Sequence, residues 1–250
     1  MAFQHLVSGS VASSELILIK DSLAFSSRLL TQHVLSAWVQ NASIPNITIL
    51  ALEQSATTLT KTLEHEASFP KIRVLDVVSD SRGWNKKTGG AKDLSVLCSQ
   101  VRACVPDKST SVLFVDSIAN LLLHGHSEAQ VAAFLSDLKS SFESIVYVAH
   151  VDLFSSPSFI PAISSVASCV IELLPTPKLP LLSVTGSFSI LQKRKSGKVS
   201  RVMEHYALSE SGDKLVFYTD AQVSRKESPT QVENKIKLQM DVLSPEQEAA

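Results

Sequence analysis

The sequence predicts an α/β protein whose mostly parallel sheet is flanked by helices. Short apolar runs typical of buried strands alternate with amphipathic segments of about 10–18 residues that are typical of helices. That alternation indicates βαβ units, in which parallel strands are joined by helical crossovers. Beyond about residue 165 strand-like runs follow one another directly, which predicts antiparallel strands added to the sheet.

Predicted strands and helices alternate along the first 150 residues. Apolar runs predict strands at residues 15–20, 47–52, 72–78, 112–115 and 145–149. Residues 55–66 are predicted to be helical, a short helix is expected around 121–123, and a capping box at Ser127 begins a longer one. Apolar residues at helical spacing predict the remaining crossovers, with Leu30, Val34, Ala37 and Trp38 in one and Leu94, Leu97, Val101 and Val105 in the other.

The antiparallel part is predicted from three features. They are a strand at 166–174, a hairpin whose strands 188–192 and 199–208 flank a basic tip at 193–198, and a strand at 215–218. We expect residues 1–221 to form one domain. The polar segment 222–234, which contains Pro229, is predicted to be a linker.

The segment 235–250 is predicted to begin with a strand and to continue into a helix. Alternating apolar residues point to one face of that strand and are candidates for a subunit interface: Ile236, Leu238, Met240 and Val242. We expect the segment to dock either on its own domain or on a neighbouring subunit. Ser244-Pro245-Glu246-Gln247 is a helix start cut short at Ala250, so we expect the natural tail to be longer.

Composition excludes several classes of protein. The net charge is −1, so no overall field attracts nucleic acid or membrane. No apolar run reaches the roughly 20 residues that span a bilayer, and the first residues do not resemble a secretory signal. The 3 cysteines are not in CxxC spacing, which argues against a disulfide framework or a zinc site. We therefore expect a cytoplasmic and nuclear protein.

The turn after the first strand does not match a nucleotide-binding loop. A P-loop needs glycines and a lysine there, because backbone N–H groups must approach the phosphates closely. Residues 21–28 contain neither, and the nearest glycines are Gly9 and Gly83. Asp21 in this turn would repel phosphate, and Ser22 is predicted to cap the next helix. An ordinary P-loop NTPase and a GxGxxG dinucleotide site are both excluded.

Asp116 ends the fourth strand and resembles a Walker B aspartate, which holds magnesium in a working ATPase. The alternative, favoured without a P-loop, is that Asp116 caps the helix at 118–123. Asp21, Ser22 and Asp116 are thus the positions of a degenerate nucleotide site.

The remaining histidines and cysteines suggest no catalytic centre. His124 and His126 have no third ligand nearby in the sequence, so we predict no metal site. His150 ends the fifth strand, where a catalytic group could lie, but no GxSxG nucleophile accompanies it. We therefore predict a structural role for His150, and a buried position for Cys98 on a helix face.

Two basic segments are candidates for nucleic-acid contact. One is a glycine-containing loop with a tryptophan among its cations: Arg82, Trp84, Lys86 and Lys87. The other is the hairpin tip, which carries Lys193, Arg194, Lys195 and Lys198. The alternatives are a tryptophan docked on the domain, for the loop, and a charge cluster that protects an edge strand, for the tip.

The order of four segments resembles the Elongator complex protein 5 family. The resemblance covers residues 15–248 and rests on Leu18-Ile19-Lys20-Asp21-Ser22-Leu23 with Arg28-Leu29-Leu30, Asp80-Ser81-Arg82-Gly83-Trp84-Asn85-Lys86, Phe114 to Leu123, and Asn234 to Ser244. It implies a RecA-like fold that lacks the ATPase signatures. The family's acidic C-terminal end is missing from this sequence.

The resemblance further implies a ring of six RecA-like subunits, with two copies each of Elongator subunits 4, 5 and 6. That ring binds the catalytic Elongator subunits and takes part in tRNA wobble-uridine modification, with tRNA binding and ATP hydrolysis associated with the ring. No catalytic residue can be carried over to this chain, and no cofactor is expected.

We therefore predict a non-catalytic scaffold subunit. Two alternatives remain open. One is a degenerate NTPase with a composite site, in which Asp116 holds magnesium and a neighbour supplies the phosphate contacts. The other is a stand-alone RNA-binding module that depends on Trp84, Lys86 and Lys87.

Overall fold

Among the residues that the computed structural model describes, strands from both halves of the chain join in one nine-stranded sheet. The structure describes residues 2–7, 15–63, 71–79, 93–105, 107, 111–176, 184–194, 196–209 and 214–223. The strands are Glu15–Asp21 (β1), Asn46–Ala51 (β2), Ile72–Asp76 (β3), Ser111–Val115 (β4), Ser144–His150 (β5), Cys169–Leu174 (β6), Gly186–Lys193 (β7), Val199–Leu208 (β8) and Leu215–Thr219 (β9).

Helices connect and flank these strands. They are Ala2–Val7 (α1), Arg28–Gln40 (α2), Ala56–Leu63 (α3), Leu94–Ala103 (α4), Ala119–Leu123 (α5), Glu128–Lys139 (α6), Phe159–Val166 (α7) and Asp220–Val223 (α8). A 3-10 turn at Val151–Leu153 follows β5. Each helix among the described residues is too short or too polar to cross a membrane.

The sheet has the order β3-β2-β4-β5-β1-β6-β7-β8-β9. The strands from β3 to β6 along this order run parallel, and β7, β8 and β9 are added antiparallel. The predicted fold class, a mostly parallel sheet with antiparallel strands on the C-terminal side, is confirmed.

The parallel strands are apolar on both sides because both faces of the sheet are covered. In β1, Ile17 and Ile19 point into one core, which also contains Trp38 of α2. Leu16 and Leu18 point into the other core, which is packed against helices α4 to α7. The period of two along β1 thus supplies both cores from a single run of residues.

The structure corrects the sequence prediction at the start of β6. Residues 159–166 form helix α7, which was not predicted, and β6 begins at Cys169 rather than at residue 166. Phe159 and Ile163 are buried one helical turn apart, a pattern too short to stand out in the sequence. Pro161 lies in the first turn of the helix, where its missing N–H is not needed.

The first helix is fixed to β8, far away in the sequence. The carboxylate of Glu204 is fully buried and accepts hydrogen bonds from the backbone nitrogens of Ala2, at 2.6 Å, and Phe3, at 3.3 Å. The Phe3 ring packs against Phe188 and Phe217. Glu204 therefore supplies the negative charge that the N-terminus of a helix favours.

Candidate functional site

A cavity of about 340 Å³ lies at the carboxyl ends of the parallel strands. In open parallel sheets, ligands bind at this end. The groups that decide the chemistry of the cavity are Asp21, Ser27, Arg28, Glu53, Asp116 and His150. They come from the ends of β1, β2, β4 and β5 and from the start of α2.

Asp21 faces the N-terminus of α2. It is 4% exposed, and its Oδ2 accepts hydrogen bonds from the backbone N–H of Ser27, at 2.9 Å, and from the Ser27 hydroxyl, at 2.7 Å. A helix N-terminus attracts anions because its first N–H groups have no intrahelical partner. The anion at α2 is a carboxylate of the chain itself.

The turn between β1 and α2 is closed by its own hydrogen bonds. Ser22 and Phe25 exchange backbone hydrogen bonds of 3.2 and 3.1 Å. Leu23 N–H donates to the Asp152 carboxylate at 2.8 Å, and Arg28 N–H donates to the Ser26 hydroxyl at 3.3 Å. Most backbone donors in the position of a phosphate-binding loop therefore already have acceptors within the protein.

His150 links two carboxylates across the cavity. Its Nδ1 lies 2.5 Å from Oδ1 of Asp21, and its Nε2 lies 2.8 Å from Oε2 of Glu53. Hydrogen bonds to Asp21 and then Glu53 raise the pKa of His150 to about 10, against the opposing effect of burial. The imidazole is therefore a cation at neutral pH and donates through both nitrogens. The predicted structural role of His150 agrees with these contacts.

Asp116 holds the loop that follows β2. Its Oδ1 accepts from Leu52 N–H at 2.7 Å, and its Oδ2 accepts from Glu53 N–H at 3.0 Å and Gln54 N–H at 2.8 Å. Burial raises the pKa of Asp116 to about 6, although these three donors favour the charged form. A magnesium ion at Asp116 would have to compete with the three donors.

Both helix-capping predictions at this site are wrong. α2 begins after Ser27, and the Ser22 hydroxyl instead accepts from Phe25 N–H at 3.3 Å within the turn. Ile118 is the residue before α5, and the Asp116 carboxylate reaches across to the neighbouring strand end. In both cases the sequence contained a suitable capping residue, but the helix begins later than the residue suggested.

A comparison with models of protein families identifies the family to which the chain belongs. The family model described as Elongator subunit Iki1 matches residues 3–243. The chain belongs to the Elongator subunit Iki1 family. The resemblance to Elongator complex protein 5 is thereby confirmed, and membership of this family implies membership of the Elongator complex. No protein with curated annotation matches the chain significantly in sequence.

Solved structures show which fold this Iki1-family chain shares. The flagellar accessory protein FlaH from Methanocaldococcus jannaschii is similar with a TM-score of 0.57 and 16% identity, over 87% of this chain and 95% of FlaH. A KaiC-like protein from Pyrococcus horikoshii OT3 is similar with a TM-score of 0.55 and 15% identity, over 82% of this chain and 90% of that protein. The Iki1-family chain is therefore RecA-like in fold.

The cations of the predicted hairpin tip differ in what they contact. Lys193 Nζ donates to the carbonyl oxygens of Ser164, at 2.5 Å, and Ser165, at 3.2 Å, near the C-terminus of α7. Arg194 and Lys198 are exposed. Lys193 thus serves to fix the hairpin to α7, since a cation is favoured at a helix C-terminus.

Several predicted site residues of the Iki1-family chain lie outside the described residues. These are the loop residues Arg82, Trp84, Lys86 and Lys87, the hairpin residue Lys195, and the tail residues Ile236, Leu238, Met240 and Val242. Their predicted roles in nucleic-acid binding and in subunit contact stay predictions.

Sequence reasoning missed Glu53 and Ser27. Glu53 comes shortly after the second predicted strand, so its position at the carboxyl end of the sheet could have been inferred. Its contact with His150 could not have been inferred, because 97 residues separate the two in the chain. Ser27 was missed because the helix was expected to begin near Ser22, which would place Ser27 within the helix.

Proposed function

We propose that this chain is a non-catalytic scaffold subunit of the Elongator accessory ring. The ring is a heterohexamer with two copies each of subunits 4, 5 and 6, and it supports tRNA binding and wobble-uridine modification. Family membership supports the assignment to Elongator. The observation that carries the non-catalytic role is the engagement of the Asp21 carboxylate at the N-terminus of α2.

The site at the strand ends supports this role because its polar groups form hydrogen bonds and ion pairs with one another. Binding of a nucleoside triphosphate needs free backbone donors and a cation near the phosphates. Here most backbone donors of the first turn have protein acceptors, and the cation His150 lies between two carboxylates. Binding phosphate would require displacement of Asp21, a buried charge with a cationic partner, which is energetically costly.

The surface around the cavity suits contact with a neighbouring subunit. Large apolar side chains follow the carboxyl ends of three parallel strands, with Leu23 89% exposed, Leu123 77% exposed and Leu153 52% exposed. Leu23 and Leu153 lie in segments joined by the hydrogen bond from Leu23 N–H to Asp152. Exposed apolar side chains that lie in adjoining segments, as Leu23 and Leu153 do, mark interaction sites. We assign this end of the sheet to the contact between adjacent ring subunits.

Native mass spectrometry tests this proposal. Co-expression with Elongator subunits 4 and 6 is expected to give a hexamer with two copies of each subunit. A triple variant, Leu23→Asp with Leu123→Asp and Leu153→Asp, is expected to stay folded but to be lost from the ring. The matched control is Val216→Asp on β9, which is 40% exposed in the wild type and lies at the far edge of the sheet. A wild-type chain that binds neither subunit 4 nor subunit 6 would refute the proposal.

A composite NTPase site is the second candidate, favoured by the 340 Å³ cavity that brings Arg28 close to Asp116. The scaffold proposal expects no nucleotide binding by the isolated chain, and ring ATP turnover that is unchanged by Asp116→Asn. Loss of that turnover in the variant, with the hexamer intact, would favour the composite site. The predicted loop cations Arg82, Lys86 and Lys87 would then be tested separately through the salt dependence of tRNA binding by the ring.

A further inference from the structure

Of the strands that the structure describes, β9 covers only the C-terminal half of the outer edge of β8. β9 pairs with Glu204 to Leu208, the C-terminal half of β8. Among the described strands, none pairs with the outer edge of residues 199–203, whose inner edge pairs with β7. An edge of this kind presents unpaired N–H and C=O groups to another strand.

The side chains of this open segment are partly apolar. Val199 is 56% exposed, Val202 is 37% exposed and Met203 is 41% exposed. Alternation along β8 puts Val199 and Met203 on one face of the sheet and Val202 on the other. An added strand could therefore gain main-chain hydrogen bonds and cover apolar surface at once.

Basic residues lie within the open segment and next to its end at the hairpin tip. Arg194, Lys198 and Arg201 are exposed, and none of them is in an ion pair within the part of the chain that the structure describes. A strand that fits this edge should therefore carry its negative charge at the end nearest the hairpin tip.

The chain itself leads to the open edge. β9 runs antiparallel to β8, and Thr219 pairs with Glu204, next to the open segment. α8 then packs beside both strands and ends at Val223. Residues 224–234 can span up to roughly 36 Å when extended, whereas five strand residues measure about 17 Å, so a later segment can reach the whole edge.

The segment 235–243 has the sequence that this edge requires. Its apolar residues alternate at positions 236, 238, 240 and 242, and its cations Lys235 and Lys237 lie at its start. After Lys237 the remaining charged residues are all acidic: Asp241, Glu246 and Glu248. If the segment continues in the direction of β9, this acidic end comes to lie beside Arg194 and Lys198.

We propose that residues 235–243 of this chain add to the sheet as a further strand, antiparallel to Val199–Met203 of β8. The strand closes the open edge in cis and pairs the acidic end of the segment with the basic hairpin tip. Both the direction and the charge distribution favour the chain's own tail over a nucleic acid, which cannot supply main-chain hydrogen bonds to a strand.

Amide hydrogen exchange on the full chain, followed by mass spectrometry of peptides, tests this assignment. The variant Leu238→Ser with Met240→Ser removes two residues from the apolar face of the segment. The matched control, Lys237→Ser with Gln239→Ser, places two serines on the opposite face and leaves the apolar residues in place. Every second amide along 199–203 already faces β7, so we expect only the alternate amides that face away from β7 to exchange about tenfold faster in the first variant and at the wild-type rate in the control.

The outcome that overturns the proposal is equal exchange at 199–203 in the wild type and in the apolar-face variant, with the amides of β1 and β5 still protected in both. Protection that is lost when the wild type is diluted would place the segment on a second copy and would also overturn docking in cis. Protection at 199–203 that appears only after tRNA is added would assign the hairpin to RNA instead.

Discussion

Replacing His150 by Gln removes the cation between two carboxylates while keeping a donor near Asp21. Asp21 is 4% exposed, so its charge depends on nearby partners rather than on water. Breaking a buried ion pair costs about 3–5 kcal/mol. Gln still donates one hydrogen bond, and the His150 side chain is 20% exposed, so solvent screens part of the effect. We therefore expect the free energy of unfolding to fall by about 2 kcal/mol at pH 7.

This loss should depend on pH in a defined direction. The pKa of His150 is raised to about 10 in the folded protein, above the ordinary histidine value of 6.5. A raised pKa gives stability that is complete below the unfolded value and disappears as the pH rises through the folded value. The difference between wild type and His150→Gln should therefore shrink steadily between pH 6.5 and about 10.

Urea unfolding of both proteins across that pH range measures the difference directly, because other groups that titrate are common to both chains. Glu53→Gln is the matched control: the Glu53 side chain is 46% exposed, so its loss should cost less than about 1 kcal/mol. A destabilisation by His150→Gln that is as large at pH 10.5 as at pH 7 would show that packing, and not the ion pair, is responsible.

Four further substitutions test other features of the structure. Glu204→Ala leaves the Ala2 nitrogen and its neighbour without their buried acceptor, so it should cost about 2–3 kcal/mol in urea unfolding and expose the N-terminus to limited proteolysis. Asp116→Ala removes the acceptor of three backbone N–H groups and should cost about 2–3 kcal/mol; an unchanged urea midpoint would contradict this. Gly186→Ala places a methyl group against the Tyr206 ring and should lower the melting temperature, whereas Gly197→Ala, with open space around its Cβ position but φ of +80°, should cost only about 1 kcal/mol from backbone strain.

Much of the fold could be predicted because the strands are short and apolar on both faces. The run at 15–20 needs two covered faces, and a parallel sheet between helices is the arrangement that supplies them. The order of the strands could not be predicted in the same way. Nothing in the local pattern of β1 indicates that its neighbours are β5 and β6 rather than β2.

The same limit applies to the candidate site. Asp21, Asp116 and His150 were each placed at a strand end from the sequence alone, and the structure has them there. Their partners depended on strand order: Asp21 meets His150 because β1 pairs with β5, although 129 residues separate them. Short helices such as α7 escaped prediction because two apolar residues one turn apart do not make a periodic pattern.

The position of β1 also sets the order in which the chain can fold as it is made. β1 is synthesised early, but both strands that flank it, β5 and β6, are synthesised more than 120 residues later. At ribosomal rates of 5–20 residues per second, the apolar strand waits about 6–26 s for its first neighbour. Until then the side chains of Leu16 to Ile19 can pack against only part of their final neighbours. Helix α1 lacks its acceptor for longer, because Glu204 is synthesised after both strands. Nascent chains of this protein are therefore expected to depend on chaperones, or on slowed translation, until the centre of the sheet can close.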